Sequence, residues 1–349
     1  MFGTYKKEDV TLLLKDISGA VQPLDTAARE RLIQGGAHYS SMLPVEYEPS
    51  AQYLELFFAS LAENAAKTAL SAATAAEKIL RQKGKNAVLV SLARAGTPAG
   101  ILIKRYLREK RGIDAPHYSI SIIRGKGIDK NAMKYILARH KPQDLQFVDG
   151  WTGKGAIGRE LTCAMADFAG VSDSLAVLAD PARIAAVFGT REDFLIPSSC
   201  LNSTVSGLLS RTFLREDIIG ENDFHGAVFY ADLREKDLTY RFIDTVAANF
   251  PAAPPALADD EPPTGAGLRE AEDICRELNA GDINFVKPGI GEATRVLLRR
   301  VPRCVLVNSS FGAELRHIYR LAEEKNVPLR EYPLKNYKAC GIIKKLGDL

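Results

Sequence analysis

The chain lacks most of the features that sort a sequence at a glance. Its 349 residues include one tryptophan and five cysteines, and the cysteines, at 163, 200, 275, 304 and 340, are widely spaced. No Cys-x-x-Cys pair and no cysteine–histidine cluster is present, which excludes a zinc site of the usual spacing. No uninterrupted apolar run reaches the length of a membrane-spanning helix. The only early apolar run follows Lys6, Lys7, Glu8 and Asp9 and does not look like a secretory signal; the expectation is a reducing, cytoplasmic setting with no membrane. A strong charge of one sign is missing too, because a balance of +3 is too small to imply nucleic acid by itself.

What is present is a globular composition, 46% hydrophobic and 26% charged, in a length that suits two domains. The stretch LQFVDGWTGKGAIGRELTCAMADF, residues 145–168, organises the rest. Leu145 to Val148 predicts a buried strand, Asp149 stands at its carboxyl end, Gly150 to Gly155 form a glycine-rich loop, and Ala156 begins an apolar-periodic helix. Such a loop brings backbone N–H groups close to a phosphate, and the helix start adds further donors and a positive dipole end. Thr152 adds a hydroxyl, and Asp149 suits magnesium or a ribose hydroxyl. The stretch is read as departing from both GxGxxG and GxxxxGK[ST]. The alternative is a tight turn without a ligand.

This segment resembles the ribose-phosphate loop of type I phosphoribosyltransferases, except that Gly150 stands where those enzymes carry a second acid. The first two thirds of the chain is similar to the phosphoribosyltransferase-like proteins of tellurite-resistance and stress gene clusters, some of which are labelled cysteine proteases of the StiP family. The resembling pieces are YKKEDVTLLLKDI at 5–17, HYSSMLPVEYEPS at 38–50, LARAGTPAG at 92–100, IIRGKGID at 122–129 and FVDGWTGKG at 147–155.

The resemblance implies an α/β fold with a phosphoribosyltransferase-like parallel sheet core. It also implies a magnesium-dependent transfer from phosphoribosyl diphosphate, or a related ribose phosphate, to an unidentified base or nucleophile. In that reading Asp149, Arg94, Arg124 and Lys126 serve catalysis, Asp149 also meets the metal, and Gly150, Thr152, Gly153, Lys154 and Gly155 hold the phosphate. The protease label brings a second reading, with Cys200 as nucleophile and His225 as base. A third makes the chain a non-catalytic RNA-binding protein that senses a nucleotide.

The remaining sequence predicts a short helix within 5–17 capped by Asp9, a long alanine-rich helix over 50–82 with one break near 64–68, and strands at 86–91, 117–123, 174–177 and 227–231. Helical patches are expected at 131–140, 181–188, 205–214 and 240–250. His38 lies in a polar, aromatic loop that suits a lid. The proline-rich segment 251–265 predicts a linker between a domain over 1–250 and a small α/β/α domain over 266–349. The small unit carries 15 basic and 11 acidic residues, so positive charge is enriched there. Its GIGEATR at 289–295 resembles the loop–helix signature of the pelota RNA-binding fold, and LAEEKNVPL at 321–329 the later helix-to-strand turn. That resemblance implies contacts with structured RNA from Lys287, Gly289, Gly291, Glu292 and Arg295.

Overall fold

The computed structural model describes residues 2–257 and 261–344. Its opening differs from the expected helix over 5–17: two short strands form instead, β1 (Thr11–Leu12) and β2 (Lys15–Asp16). Asp9 caps nothing. It is buried and accepts hydrogen bonds from Arg105 Nε at 2.9 Å and Nη2 at 2.7 Å, an ion pair that holds the segment against the core. Helix α1 (Thr26–Gln34) starts at Asp25, whose carboxylate accepts from Ala28 N at 2.7 Å. Helix α2 (Ala51–Lys83) runs without a break through 64–68, and its buried alanines let it lie close on the sheet.

Strand β3 (Val88–Ala93) leads into α3 (Gly96–Arg111), then β4 (His117–Ile123), β5 (Gly127–Ile128), α4 (Lys130–Leu137), β6 (Leu145–Trp151), α5 (Ala156–Met165), β7 (Leu175–Ala179) and β8 (Val187–Thr190). The sheet order is β1-β4-β3-β6-β7-β8, parallel throughout, with β5 antiparallel on β4. Parallel strands need crossover connections, and the helices those supply cover both faces. That is why these strands read as continuous apolar runs. Val90, Ile120 and Phe147 pack with Met133, Ile136 and Leu161 on one face, while Leu89 and Val148 pack with Ile101, Leu102, Tyr106 and Ile79 on the other. The chain moves from β3 to β4 on one side and places β6 on the other. This switch point opens a crevice at the carboxyl ends of β3 and β6, where ligands of such sheets bind.

Two expected helices are absent. At 181–188 the Asp180 carboxylate accepts from the N–H groups of Ile184 and Ala185, closing a turn that feeds β8. At 205–214 the chain makes turns and bridges, Leu209 with Phe229 and Phe213 with Gly226. Strand β9 (Gly226–Ala227) pairs with β2, and α6 (Thr239–Ala247) follows.

The C-terminal unit contains α7 (Ala266–Glu277), β10 (Val286–Pro288), α8 (Ile290–Arg299), β11 (Pro302–Val307), α9 (Arg316–Glu324), β12 (Leu329–Glu331) and β13 (Ala339–Ile343). Its sheet order is β10-β13-β11-β12, and the central β13 was not expected. Ala271, Ile274, Val286 and Ile342 form a core of its own. Ile290, Leu297, Leu315 and Ile318, however, share one apolar cluster with Phe57, Leu61 and Ala65 of α2. The expected linker at 251–265 has no helix or strand in its described residues, and 258–260 lie outside them. No helix among the described residues is long and apolar enough to cross a membrane.

A candidate ligand-binding cleft

The loop after β6 meets the start of α3 at the switch point. Gly96 permits this: a Cβ there would stand 2.4 Å from Val148 O and 3.1 Å from Asp149 Cα. Asp149 Oδ1 accepts from Gly150 N at 2.8 Å. Burial pushes its carboxyl up to about 7 against that one hydrogen bond. Strand β6 continues to Trp151, and the loop proper is Thr152 to Gly155. Thr152 does not offer its hydroxyl outward, because it donates to the buried Asp180 carboxylate. Gly153, Gly155 and Gly158 correct one sequence reading, since GKGAIG at 153–158 does keep GxGxxG spacing, between a strand and a helix. The first N–H groups of α5 have no partner within the helix.

The C-terminal unit clamps this loop. Lys154 Nζ donates to the carbonyls of Ile283 and Val286, the latter at 2.9 Å, and Tyr337 Oη donates to Gly153 O at 2.6 Å. Burial, then Lys287 and Arg124, push the Lys154 ammonium down to about 8. Asp193 makes the second joint. Buried, it accepts from Ile290 N at 3.0 Å, the first residue of α8, and from Lys338 N at 2.9 Å. Gly289 turns the chain into α8 with φ +99° directly beside that carboxylate, a backbone few other residues adopt.

Between the units lies a cavity of about 760 Å³. Asp149, Trp151, Lys154, Lys287, Glu292 and Arg295 line its polar end. Glu292 pairs with Arg295 at 3.1 Å, and the Arg295 guanidinium lies 5.9 Å from the Trp151 ring centre. Burial raises the Glu292 carboxyl, but Arg295 and Lys287 outweigh it and hold it below its ordinary range. Lys287 is pushed down, by burial first.

Three of the residues the sequence assigned to RNA, Lys287, Glu292 and Arg295, therefore face the same cavity as the glycine loop. Gly289 and Gly291 pack against Asp193 and Ser199 instead. Arg94, which follows a cis peptide bond, lies in a neighbouring groove and donates to Leu209 O at 2.9 Å and Asn202 Oδ1 at 3.2 Å. Arg124 and Lys126 are exposed and line neither space. Their loop is pinned, as Gly125 N and Gly127 N donate to Glu160 at 2.7 and 2.8 Å. His38 sits over it, with Nε2 3.0 Å from Arg124 O.

Cys200 and His225 are not brought together. Cys200 is fully buried, and burial pushes its thiol up to about 12 in spite of Arg299. His225 Nδ1 lies 2.9 Å from Ser121 Oγ, behind β4. Cys163 is exposed and lines the cavity; among the described residues no histidine does. Among the described residues no group of three or more His, Cys, Asp or Glu gathers to hold a metal.

Comparison with known proteins adds a family. A family described as tellurite-like stress resistance cysteine protease StiP matches residues 3–247, and the PELOTA RNA binding domain matches residues 265–345. The cysteine protease StiP of Acinetobacter baylyi is 36% identical over 365 aligned positions, covering 99% of this chain and 94% of that protein. The solved structure of LysN, alpha-aminoadipate aminotransferase from Thermus thermophilus, is 14% identical, covers 84% of this chain and 73% of its own, and has a TM-score of 0.21, too low to bear on the fold. The expectation of a phosphoribosyltransferase is corrected by these matches: the relative over the whole chain is named a cysteine protease, and the family carries the same description. A phosphate-cradling loop does not specify glycosyl transfer, because the same backbone geometry serves many chemistries.

Proposed function

We propose, for a chain that belongs to the StiP family of tellurite-like stress resistance proteins, a role as an RNA-associated stress protein that holds a phosphorylated nucleotide between its two units. The nucleotide is a free one or the end of an RNA strand. One observation carries this reading: Lys154 from the glycine loop and Lys287 and Arg295 from the C-terminal unit converge on the carboxyl end of β6. Crowded, half-buried cations repel one another, and a phosphate between them relieves that repulsion. Trp151 and the apolar lining, Ile157, Ile184 and Leu268, suit a base or ribose. In this reading Asp149 accepts a ribose hydroxyl. Magnesium would enter with the phosphate, with Asp149 as its one protein carboxylate, the usual division for that ion. A cytoplasmic setting fits five free thiols.

Isothermal titration with a nucleoside 5′-monophosphate, ribose 5-phosphate and a 5′-phosphorylated oligoribonucleotide tests the reading. Micromolar binding of a phosphorylated ligand supports it. A folded protein that binds none of the three below about 1 mM overturns it.

A second reading has its own observation. The relative is named a protease, and Cys163 is an exposed thiol opening into the large cavity. If peptide hydrolysis is found, Cys163 is the nucleophile the structure favours, and the buried Cys200 is not.

A further inference from the structure

Beyond Glu292 and Arg295 the cavity continues into a second groove of about 550 Å³, which the reading above leaves unused. Seven of its lining residues are lysine or arginine and three are glutamate, so an anion is the ligand to look for. Two of the three glutamates are matched by cations, while Glu46 is bonded to neutral donors. Glu48 pairs with Lys236 at 2.7 Å, Glu46 accepts from Ser203 N and Oγ at 3.0 and 2.7 Å, and Glu292 holds Arg295. The deeper arginines, by contrast, bond to neutral oxygens. Arg94 donates to Leu209 O and Asn202 Oδ1, Arg211 to Tyr39 O at 2.7 Å and Met42 O at 2.8 Å, and Arg299 to Cys200 O at 2.9 Å and Asn202 Oδ1. Against the single charge of Glu46, these three arginines leave a positive surplus. Burial, together with neighbouring arginines, pushes Arg211 and Arg299 down to about 10. Among the described residues, two buried polar atoms on the groove, Arg211 Nε and Thr204 Oγ1, find no hydrogen-bond partner. Tyr47 also lines the groove and is 72% exposed, and Tyr53 forms part of the wall.

We propose that this groove is the path of single-stranded RNA, with phosphates on Arg94, Arg211, Arg299 and Arg300 and a base stacked on Tyr47. Arginines tracking a backbone beside an aromatic platform are how proteins hold a single strand. The volume is that of a small-ligand site, room for a nucleotide or two and not for a duplex. Groove and cavity share Lys287, Glu292 and Arg295, so a strand lying in the groove leads its end to the glycine loop. The inference rests on the RNA association proposed above and adds residues of the N-terminal unit to it.

The test is fluorescence anisotropy of the full chain with a labelled single-stranded octaribonucleotide and with a duplex of the same length. Tyr47→Ala and Arg300→Gln alter exposed side chains, so both proteins fold; Lys325→Gln, exposed and outside the groove, is the charge-matched control. The expected result is tighter binding of the single strand, a loss of roughly fivefold or more in each groove variant, and none in the control. Arg300→Gln should also lower the slope of log affinity against log salt by about 0.7, one phosphate contact on a single strand. Groove variants that bind like the parent, or a duplex bound as tightly as the strand, overturn the proposal. A parent that binds a mononucleotide but no oligomer also overturns it, and leaves the cavity reading standing.

Discussion

Lys154 of the glycine loop donates from Nζ to the carbonyl of Val286, 132 residues later, at 2.9 Å. The loop best suited to a phosphate is thus held by the unit that carries the RNA-binding signature. A change at either end of this contact should be felt at the other.

Lys154→Met is expected to weaken phosphate binding about tenfold or more, by removing a charge-assisted hydrogen bond. Its effect on melting should be small, since two lost hydrogen bonds are offset by relief from Lys287 and Arg124. The parent's affinity should fall as pH rises through about 8, where this ammonium loses its proton. Stability has the opposite sign. The folded value lies below the ordinary lysine value of 10.5, so the unfolded chain holds more protons between about 8 and 10.5, and this group's contribution to stability rises across that window. Titration calorimetry and melting curves from pH 7 to 10, on both proteins, check the two trends.

Asp149→Asn should stabilise the free protein at neutral and higher pH. Burial raises the folded carboxyl to about 7 from an ordinary 3.8, so its contribution is fullest below 3.8 and is lost as pH climbs through 7. The amide has no proton to lose. Melting temperatures of variant and parent should converge toward pH 4, separate progressively between about 4 and 7, and keep that gap above pH 7. Equal profiles would mean that Asp149 is solvated like a surface acid.

Asp193→Ala strands the N–H groups of Ile290 and Lys338, which both end on its carboxylate. Each buried donor left without a partner costs about 1–3 kcal/mol, so chemical denaturation should show a loss within or above that range. Faster amide exchange should concentrate in α8 and β13. Parent-like exchange there would show that the apolar packing of α8 against α2 suffices to seat the C-terminal unit.

Alkylation of the native protein should label Cys163 first and leave Cys200, Cys304 and Cys340 unlabelled until the chain unfolds, following their burial. Should peptidase activity be detected, Cys163→Ser is expected to abolish it and Cys200→Ala to retain it. The reverse pattern would require an opened conformation around Cys200.

The sheet was legible because β3, β4, β6 and β7 are buried on both faces and read as unbroken apolar runs. The turns at 181–188 and 205–214 were not. Their local helical preference is overridden by contacts distant in sequence, such as Asp180 with Thr152 and Arg191, or Phe213 with Gly226. Strand β13 was hidden in ACGII, a five-residue run whose partners β10 and β11 lie 30 residues or more upstream. The order of strand, glycine loop and helix around Asp149 could be read, and so could the stress family and the RNA-binding unit. The reaction could not, because backbone donors around a phosphate are common to many activities. That Lys287, Glu292 and Arg295 face inward depends on how the second unit docks, through Asp193, Tyr337 and Lys154, and no local pattern encodes it.

The most direct measurement is a calorimetric titration of a nucleoside 5′-monophosphate into the full chain and into Lys287→Gln and Arg295→Gln. If both units build one site, each substitution in the C-terminal unit weakens binding about tenfold in a protein that melting curves show to be still folded. Parent-like affinity in both variants would contradict a shared site.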